Sequence, residues 1–164
     1  MAKLTEKEKF AFQTYLASYN MVVRSISRDL RSQSQMSIEH YDVLVTLEYA
    51  AGHRLRLSEL AERVLLSRSG LTRLVDRLEE KGYVNREVCP NDRRGSFAVL
   101  TDEGIKARME CWEFLQEAIH KHFASKFASE KQLSEIVSAC SVLAADHAFS
   151  KAAETAIAAA NYRE

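Results

Sequence analysis

Leu57-Ser58-Glu59-Leu60-Ala61-Glu62-Arg63-Val64-Leu65-Leu66-Ser67-Arg68-Ser69-Gly70-Leu71-Thr72-Arg73-Leu74-Val75-Asp76-Arg77-Leu78-Glu79-Glu80-Lys81-Gly82-Tyr83-Val84 is the stretch that decides the fold. Two helical patterns break at Leu66-Ser67. In the first, Ser58 is the expected cap, and Leu60, Ala61, Val64 and Leu65 point inward. Ser67 caps the second. There Leu71, Leu74, Val75 and Leu78 fall in one arc at about 100° per residue, which leaves Ser69, Thr72, Arg73 and Asp76 on the opposite face. Gly82 stands where a left-handed backbone closes a helix. The period then becomes alternating, with Val84, Arg86 and Val88 on one side and Tyr83, Asn85 and Glu87 on the other. A turn over Pro90-Asn91-Asp92-Arg93-Arg94-Gly95 returns the chain as a strand from Ser96 to Leu100.

Two short helices followed by a two-stranded ribbon read as a winged helix-turn-helix, and the sequence on either side is helical. Upstream, Phe12, Tyr15, Leu16, Tyr19, Val22, Val23, Ile26 and Leu30 keep helical spacing over about five turns, until Arg31 to Gln35 interrupt it. Ser37 caps a second helix, with Glu39 near its positive end, Tyr41, Leu44, Val45 and Leu47 as the buried stripe, and Gly52 as the stop. Arg54 to Leu57 form a short extended piece. Downstream, Thr101 caps a long helix in which Ile105, Met109, Trp112, Leu115, Ile119, Phe123 and Phe127 recur over about six turns. Ser129 with Gln132 reads as a capping box for a last helix, striped by Leu133, Ile136, Val137, Cys140 and Leu143. The tail from Ala144 is alanine-rich. The expected architecture is mainly α with a small β-hairpin wing: one domain over 1–164, with a winged lobe at 36–101 and a helical dimerisation platform from 1–35 and 102–164. A helix with an aromatic stripe and more length than its core can cover packs on another chain, so a homodimer is expected.

Composition narrows the function classes. A chain of 164 residues, 46% hydrophobic and 28% charged, is an ordinary globular protein near the size of one domain. No window approaches about 18 consecutive apolar residues, so no membrane span is expected. The N-terminus alternates charge without the apolar core of a secretory signal, which points to the cytoplasm. Cys89, Cys111 and Cys140 are widely spaced and lack a CxxC pair, so neither disulfides nor a zinc site is expected. His120 and His122, two apart, point to different helix faces. No glycine loop for phosphate, nucleophile elbow or HExxH motif is present, so no enzyme and no cofactor is expected. The charge sums to zero, but residues 54–94 carry ten basic against seven acidic side chains, and residues 95–164 seven against ten.

That surplus sits where a nucleic acid would meet the chain. A major groove about 12 Å wide accepts one helix that is polar outside and anchored inside, the division found at 67–81. Ser67 and Ser69 are short donors near the helix N-terminus, and Gly70 permits close approach. Arg73 is the candidate for a bidentate contact to guanine, and Thr72 for a thymine methyl. Arg68 and Arg77, on the flanks, suit phosphate. Asp92, Arg93 and Arg94 at the hairpin tip suit the narrow minor groove, with the carboxylate bracing one guanidinium. The competing reading is a solvated helix face, with Arg73 and Arg77 paired to Asp76, Glu79 or Glu80.

Leu57 to Ala61, Ser67 to Val84, Asp92-Arg93-Arg94 and Leu100-Thr101-Asp102-Glu103-Gly104 together resemble the multiple antibiotic resistance regulator (MarR) family. Ala98 departs from the pattern, where a bulkier aliphatic residue is common. The resemblance implies a homodimer on a pseudo-palindromic operator in double-stranded DNA, acting as a repressor that a small ligand releases. It also implies a small aromatic or phenolic effector between platform and lobe, for which Phe12, Tyr15, Tyr19, His40, Tyr41 and Arg63 are the candidate lining residues. Two alternatives stand beside it. One is a winged-helix protein-interaction module without DNA binding; the other is an oxidant-sensing regulator through Cys89, the cysteine beside the wing.

Overall fold

The computed structural model describes residues 3–34, 36–89 and 92–144, excluding the side chains of 92–94 and 144. The chain runs α1 (Glu6–Ser34), α2 (Ile38–Glu48), a 3-10 turn (Ala51–His53), β1 (Arg54–Arg56), α3 (Leu57–Arg63), α4 (Arg68–Glu80), β2 (Val84–Cys89), β3 (Asp92–Leu100), α5 (Asp102–His122), a second 3-10 turn (Ala124–Lys126) and α6 (Glu130–Ala144). Pro90, Asn91 and the alanine-rich tail beyond Ala144 lie outside the described residues.

Local capping chemistry sets most boundaries. The Ser37 hydroxyl accepts from the His40 amide, and His40 Nδ1 accepts in return from the Ser37 amide, each at 3.3 Å, so both orphan donors at the start of α2 are satisfied. Ser67 caps α4 by accepting from the Gly70 amide at 3.1 Å, and Thr101 caps α5 by accepting from Gly104 at 3.0 Å. Gly82 closes α4 with φ at 72°, a left-handed conformation that costs glycine little. Ser58 is not a cap: α3 begins at Leu57, two residues before the start that a Ser58 cap implies, with Arg56 at the cap position and no side-chain bond there. The strand β1 delivers the chain directly into that helix.

The sheet has order β1-β3-β2, all antiparallel, so the extended piece before α3 completes a three-stranded sheet by pairing Leu55 with Ala98. Leu44, Leu47, Leu60, Leu71, Val75, Leu78, Val84 and Ala98 are buried in one core where α2, α3 and α4 meet the sheet. In this lobe the inward assignment of Leu65 fails, and the strict alternation along β2 breaks at its end. Leu65 is 56% exposed because the turn into α4 holds it at φ 55°, which swings its side chain out. Val88 is 70% exposed and Cys89 is 1% exposed, since the register shifts between them, from a Ser96 partner to an Asp92 partner.

The long helices pack differently from expectation. In α5 the buried residues are Gly104, Arg108, Cys111, Leu115 and Ala118, a face rotated from the expected stripe; Met109 is 56% exposed. Small residues let α5 lie close to its neighbours, whereas the large apolar ones flank the contact. Trp112 stacks on Tyr41 of α2, with ring centroids 6.1 Å apart. The helix ends at His122, and Phe123 and Phe127 meet edge-on around the second 3-10 turn. Within α1 only Ile26 and Leu30 are buried, so Phe12, Tyr15, Leu16 and Tyr19 stand on an uncovered face. In α6, Val137 and Leu143 are exposed too. Gln132 turns its side chain to the Ala128 amide at 2.8 Å, one residue before the expected box partner.

Candidate nucleic-acid interface

The outer face of α4 presents Arg68, Ser69, Thr72, Arg73 and Arg77 to solvent, held there by Leu71, Val75 and Leu78 beneath. The Ser67 and Ser69 hydroxyls lie 3.4 Å apart at its N-terminus. The Thr72 hydroxyl donates back to the Arg68 carbonyl at 2.9 Å, which uses its proton inside the helix.

A solvated-face arrangement would pair Arg73 and Arg77 with carboxylates on their own helix. Arg86 has taken two of those carboxylates. From β2 its Nη2 reaches Asp76 Oδ1 at 2.6 Å, its Nη1 lies 3.5 Å from Glu79 Oε2, and its Nη2 also donates to the Thr72 carbonyl at 3.2 Å. Its backbone amide donates to Glu79 Oε1 at 3.2 Å. Among the described residues, Arg68, Arg73 and Arg77 form no ion pair. The face that α4 offers is therefore cationic even though Arg68, Arg73 and Arg77 are matched in number by Asp76, Glu79 and Glu80.

A cleft of about 370 Å³ adjoins this face, lined by Arg56, Leu57, Ser58, Arg68, Thr72, Gly95 and Ser96. It joins the start of the recognition helix to the sheet. Behind it Phe97 lies under the Arg54 guanidinium, 4.1 Å from the ring centroid, with Arg56 at 5.7 Å. Arg54 is also paired with Glu87 at 3.0 Å. Asp92, Arg93 and Arg94 begin β3 at the hairpin end by backbone position; their side chains lie outside the described set.

The six candidate effector residues do not share one site. Tyr15 and Tyr19 line an apolar groove of about 410 Å³ with Val22, Val23, Phe123, Ile136 and Cys140. Phe12 stands exposed further along α1. His40 belongs to the α2 cap, where burial first, and then Lys81 and Arg77, push its pKa below the ordinary histidine value against the opposing pull of Glu39. Tyr41 packs on Trp112, and Arg63 pairs with Glu59 at 2.7 Å. Cys89 is sealed from solvent and so lacks the access a sensing thiol needs. Burial also raises the Cys111 thiol above its usual range.

Sequence reasoning missed Arg86 as part of this face. Its signal was present: an arginine two residues after Val84, on the same side of the strand, needs an ionic or hydrogen-bonding partner. Also missed was the clasp on Asp29, whose Oδ2 lies 2.8 Å from both Lys121 Nζ and His122 Nε2 and ties α1 to the end of α5. Those hydrogen bonds hold the carboxyl well below the usual range.

Helix, turn, capped helix and three-stranded wing define a winged helix-turn-helix protein. A family model described as "MarR family" matches residues 34–95. The chain is 42% identical over 65 residues to the HTH-type transcriptional regulator PrsX of Escherichia coli, covering 40% of this chain and 39% of that one. It is 33% identical over 94 residues to the transcriptional repressor MprA of Escherichia coli, covering 57% and 53%. The chain thus spans between 39% and 53% of the length of these two curated relatives. Among solved structures, Sco3205, a MarR family transcriptional regulator from Streptomyces coelicolor in complex with DNA, superposes with a TM-score of 0.79 at 30% identity, over 88% of this chain and 89% of that one. The chain belongs to the MarR family.

Proposed function

We propose that the protein is a homodimeric, sequence-specific transcription regulator that binds operator DNA as a repressor, released by a small aromatic or phenolic ligand. The observation that carries the DNA assignment is the set of guanidiniums of Arg68, Arg73 and Arg77 on α4, which form no ion pair among the described residues while Arg86 occupies Asp76 and Glu79. The winged lobe, 36–101, sets α4 in the major groove with Arg73 on a base edge. Ser67, Arg68, Ser69 and Arg77 hold phosphate and Thr72 meets a thymine methyl, while Asp92 braces Arg93 or Arg94 at the minor groove. That Sco3205 was solved in complex with DNA supports DNA binding by this fold.

Residues 1–35 and 102–164 form the dimer platform. The uncovered apolar residues of α1 and α6 support it, since a monomer would leave Phe10, Phe12, Tyr19, Met21, Val137 and Leu143 in water. Two-fold pairing would space two recognition helices by about 34 Å, one turn of duplex. Among the described residues no helix is long and apolar enough to cross a membrane.

Fluorescence anisotropy on duplex DNA, repeated across salt, tests the assignment. Binding through several phosphates weakens by orders of magnitude between low and moderate salt, because condensed counterions are released. A flat salt response would reject DNA binding through this face, and repeating the titration with phenolic acids tests the effector.

A further inference from the structure

We propose that Arg86, which touches no groove itself, is a positioning residue: it keeps the recognition helix cationic and fixes that helix against the wing. This rests on the DNA-binding function proposed above.

Three features of the site lead there. First, Arg86 faces inward. It is the register partner of Ala98, which is fully buried, and Ala98 pairs on its other side with buried Leu55. A charged side chain on the core side of a sheet is costly unless its hydrogen bonds are met. Arg86, 29% exposed at its side chain, offsets part of that cost through both Nη atoms, at Asp76, Glu79 and the Thr72 carbonyl, all on α4, while its buried Nε has no partner among the described residues. One guanidinium thus spans about two turns of the helix. The methyl side chain of Ala98, directly across the strand pair, suits a long side chain opposite it.

Second, the carboxylates it takes are the ones that would neutralise the DNA face. Asp76 stands at i+3 from Arg73, a spacing at which side chains meet on a helix surface. Freed from Arg86, Asp76 and Glu79 would become partners for Arg73 and for phosphate-seeking cations nearby, and would repel phosphate themselves. Third, the contact reaches from the first strand of the hairpin to the recognition helix, so it sets the angle between the two elements that would enter adjacent grooves.

The test uses a duplex that the full wild-type chain recovers from a random-sequence pool, with a scrambled duplex as control. Failure to recover any preferred duplex would refute the DNA-binding proposal itself, and this one with it. Given a preferred duplex, Arg86→Gln is expected to weaken binding to it about tenfold. Adding Asp76→Asn and Glu79→Gln to that variant is expected to restore most of the loss, because the offending charges are gone. A purely structural role predicts the opposite, since the triple variant has lost every charged contact between β2 and α4. Arg86→Lys keeps the charge without the fork and is expected to fall between wild type and Arg86→Gln. If Arg86→Gln does not fold, the lysine variant and the triple variant carry the comparison. Wild-type affinity in Arg86→Gln, or a folded triple variant no better than Arg86→Gln or Arg86→Lys, would overturn the proposal.

Discussion

Arg108 of α5 and Glu48 of α2 form a two-pronged ion pair in the interior: Nη2 donates to Oε1 at 2.7 Å, and Nε lies 2.7 Å from Oε2. The second prong is short but lacks the angle of a hydrogen bond. Arg108 is 6% exposed, so its charge has little water to fall back on. The pair joins the first helix of the winged part to the long helix that leaves it. Arg108→Met should strand the Glu48 carboxylate and cost about 2–4 kcal/mol, while adding Glu48→Leu should recover most of the loss. Urea unfolding of both variants measures this, and a single variant as stable as wild type would show that the pair contributes nothing.

Gly104 is the point of closest approach between α5 and the loop before β2. A Cβ there would collide with the Tyr83 carbonyl oxygen and press on Leu100. That carbonyl accepts from the Thr101 amide at 3.1 Å, and Thr101 Oγ1 donates to the Gly82 carbonyl at 2.7 Å, so the backbone has little freedom to retreat. Gly104→Ala should therefore destabilise by about 1–3 kcal/mol despite alanine's better helix propensity. A thermal midpoint unchanged from wild type would contradict the packing described.

His40 makes stability depend on pH. Its folded pKa lies below the ordinary value of 6.5, so below that pH the unfolded chain takes up the proton more readily than the folded one. Stability is whole above pH 6.5 and declines as pH falls toward the folded pKa; protonation at Nδ1 would also remove the acceptor for the Ser37 amide. His40→Gln keeps a cap acceptor and does not titrate. Its thermal midpoint should fall less than that of wild type between about pH 7.5 and about pH 5.5. Parallel curves would remove His40 from the account.

What could be read from sequence was local. Ser37, Ser67 and Thr101 each cap a helix by accepting from the amide three positions on, and Gly82 closes α4 through its own backbone angles, so their types and spacing suffice. The inward face of α4 was equally plain, because Leu71, Val75 and Leu78 are its only large apolar alternatives besides Leu74. In α5, apolar residues occupy more than one face, and which is buried depends on how closely α1 and α2 approach; that favoured Gly104, Cys111 and Ala118 over larger neighbours. Leu65 has the composition of a core residue, but the turn's backbone points it outward. At the interface, the exposed arginines of α4 followed from periodicity, whereas the guanidinium that frees them lies on the next element, and its contact depends on how the short turn after Glu80 folds β2 back on the helix.

Truncation tests the platform. The groove between α1 and α6 and the exposed Val137, Val142 and Leu143 are expected to be covered in the dimer. A chain ending before Ser129 lacks α6 but keeps the buried residues of α2 to α5. It should remain helical yet sediment as a monomer and lose operator affinity together with half-site cooperation. A folded truncated chain that sediments as a dimer would place the interface elsewhere.

Arg73 and Arg94 should fail in different ways. Arg73 projects from the exposed face of α4 with no ion pair among the described residues, so its guanidinium is available for a base edge. Arg73→Ala should cost about 1–3 kcal/mol on the preferred duplex and relax discrimination at one base pair. Arg94, at the hairpin, is proposed to meet the negative potential of the minor groove, which varies little with single base changes. Arg94→Ala should weaken preferred and scrambled duplexes more evenly and flatten the salt dependence. Affinity measured across a panel of single-base variants separates the two patterns. If Arg73→Ala lowers every duplex equally while Arg94→Ala alters one position, the groove assignments are reversed.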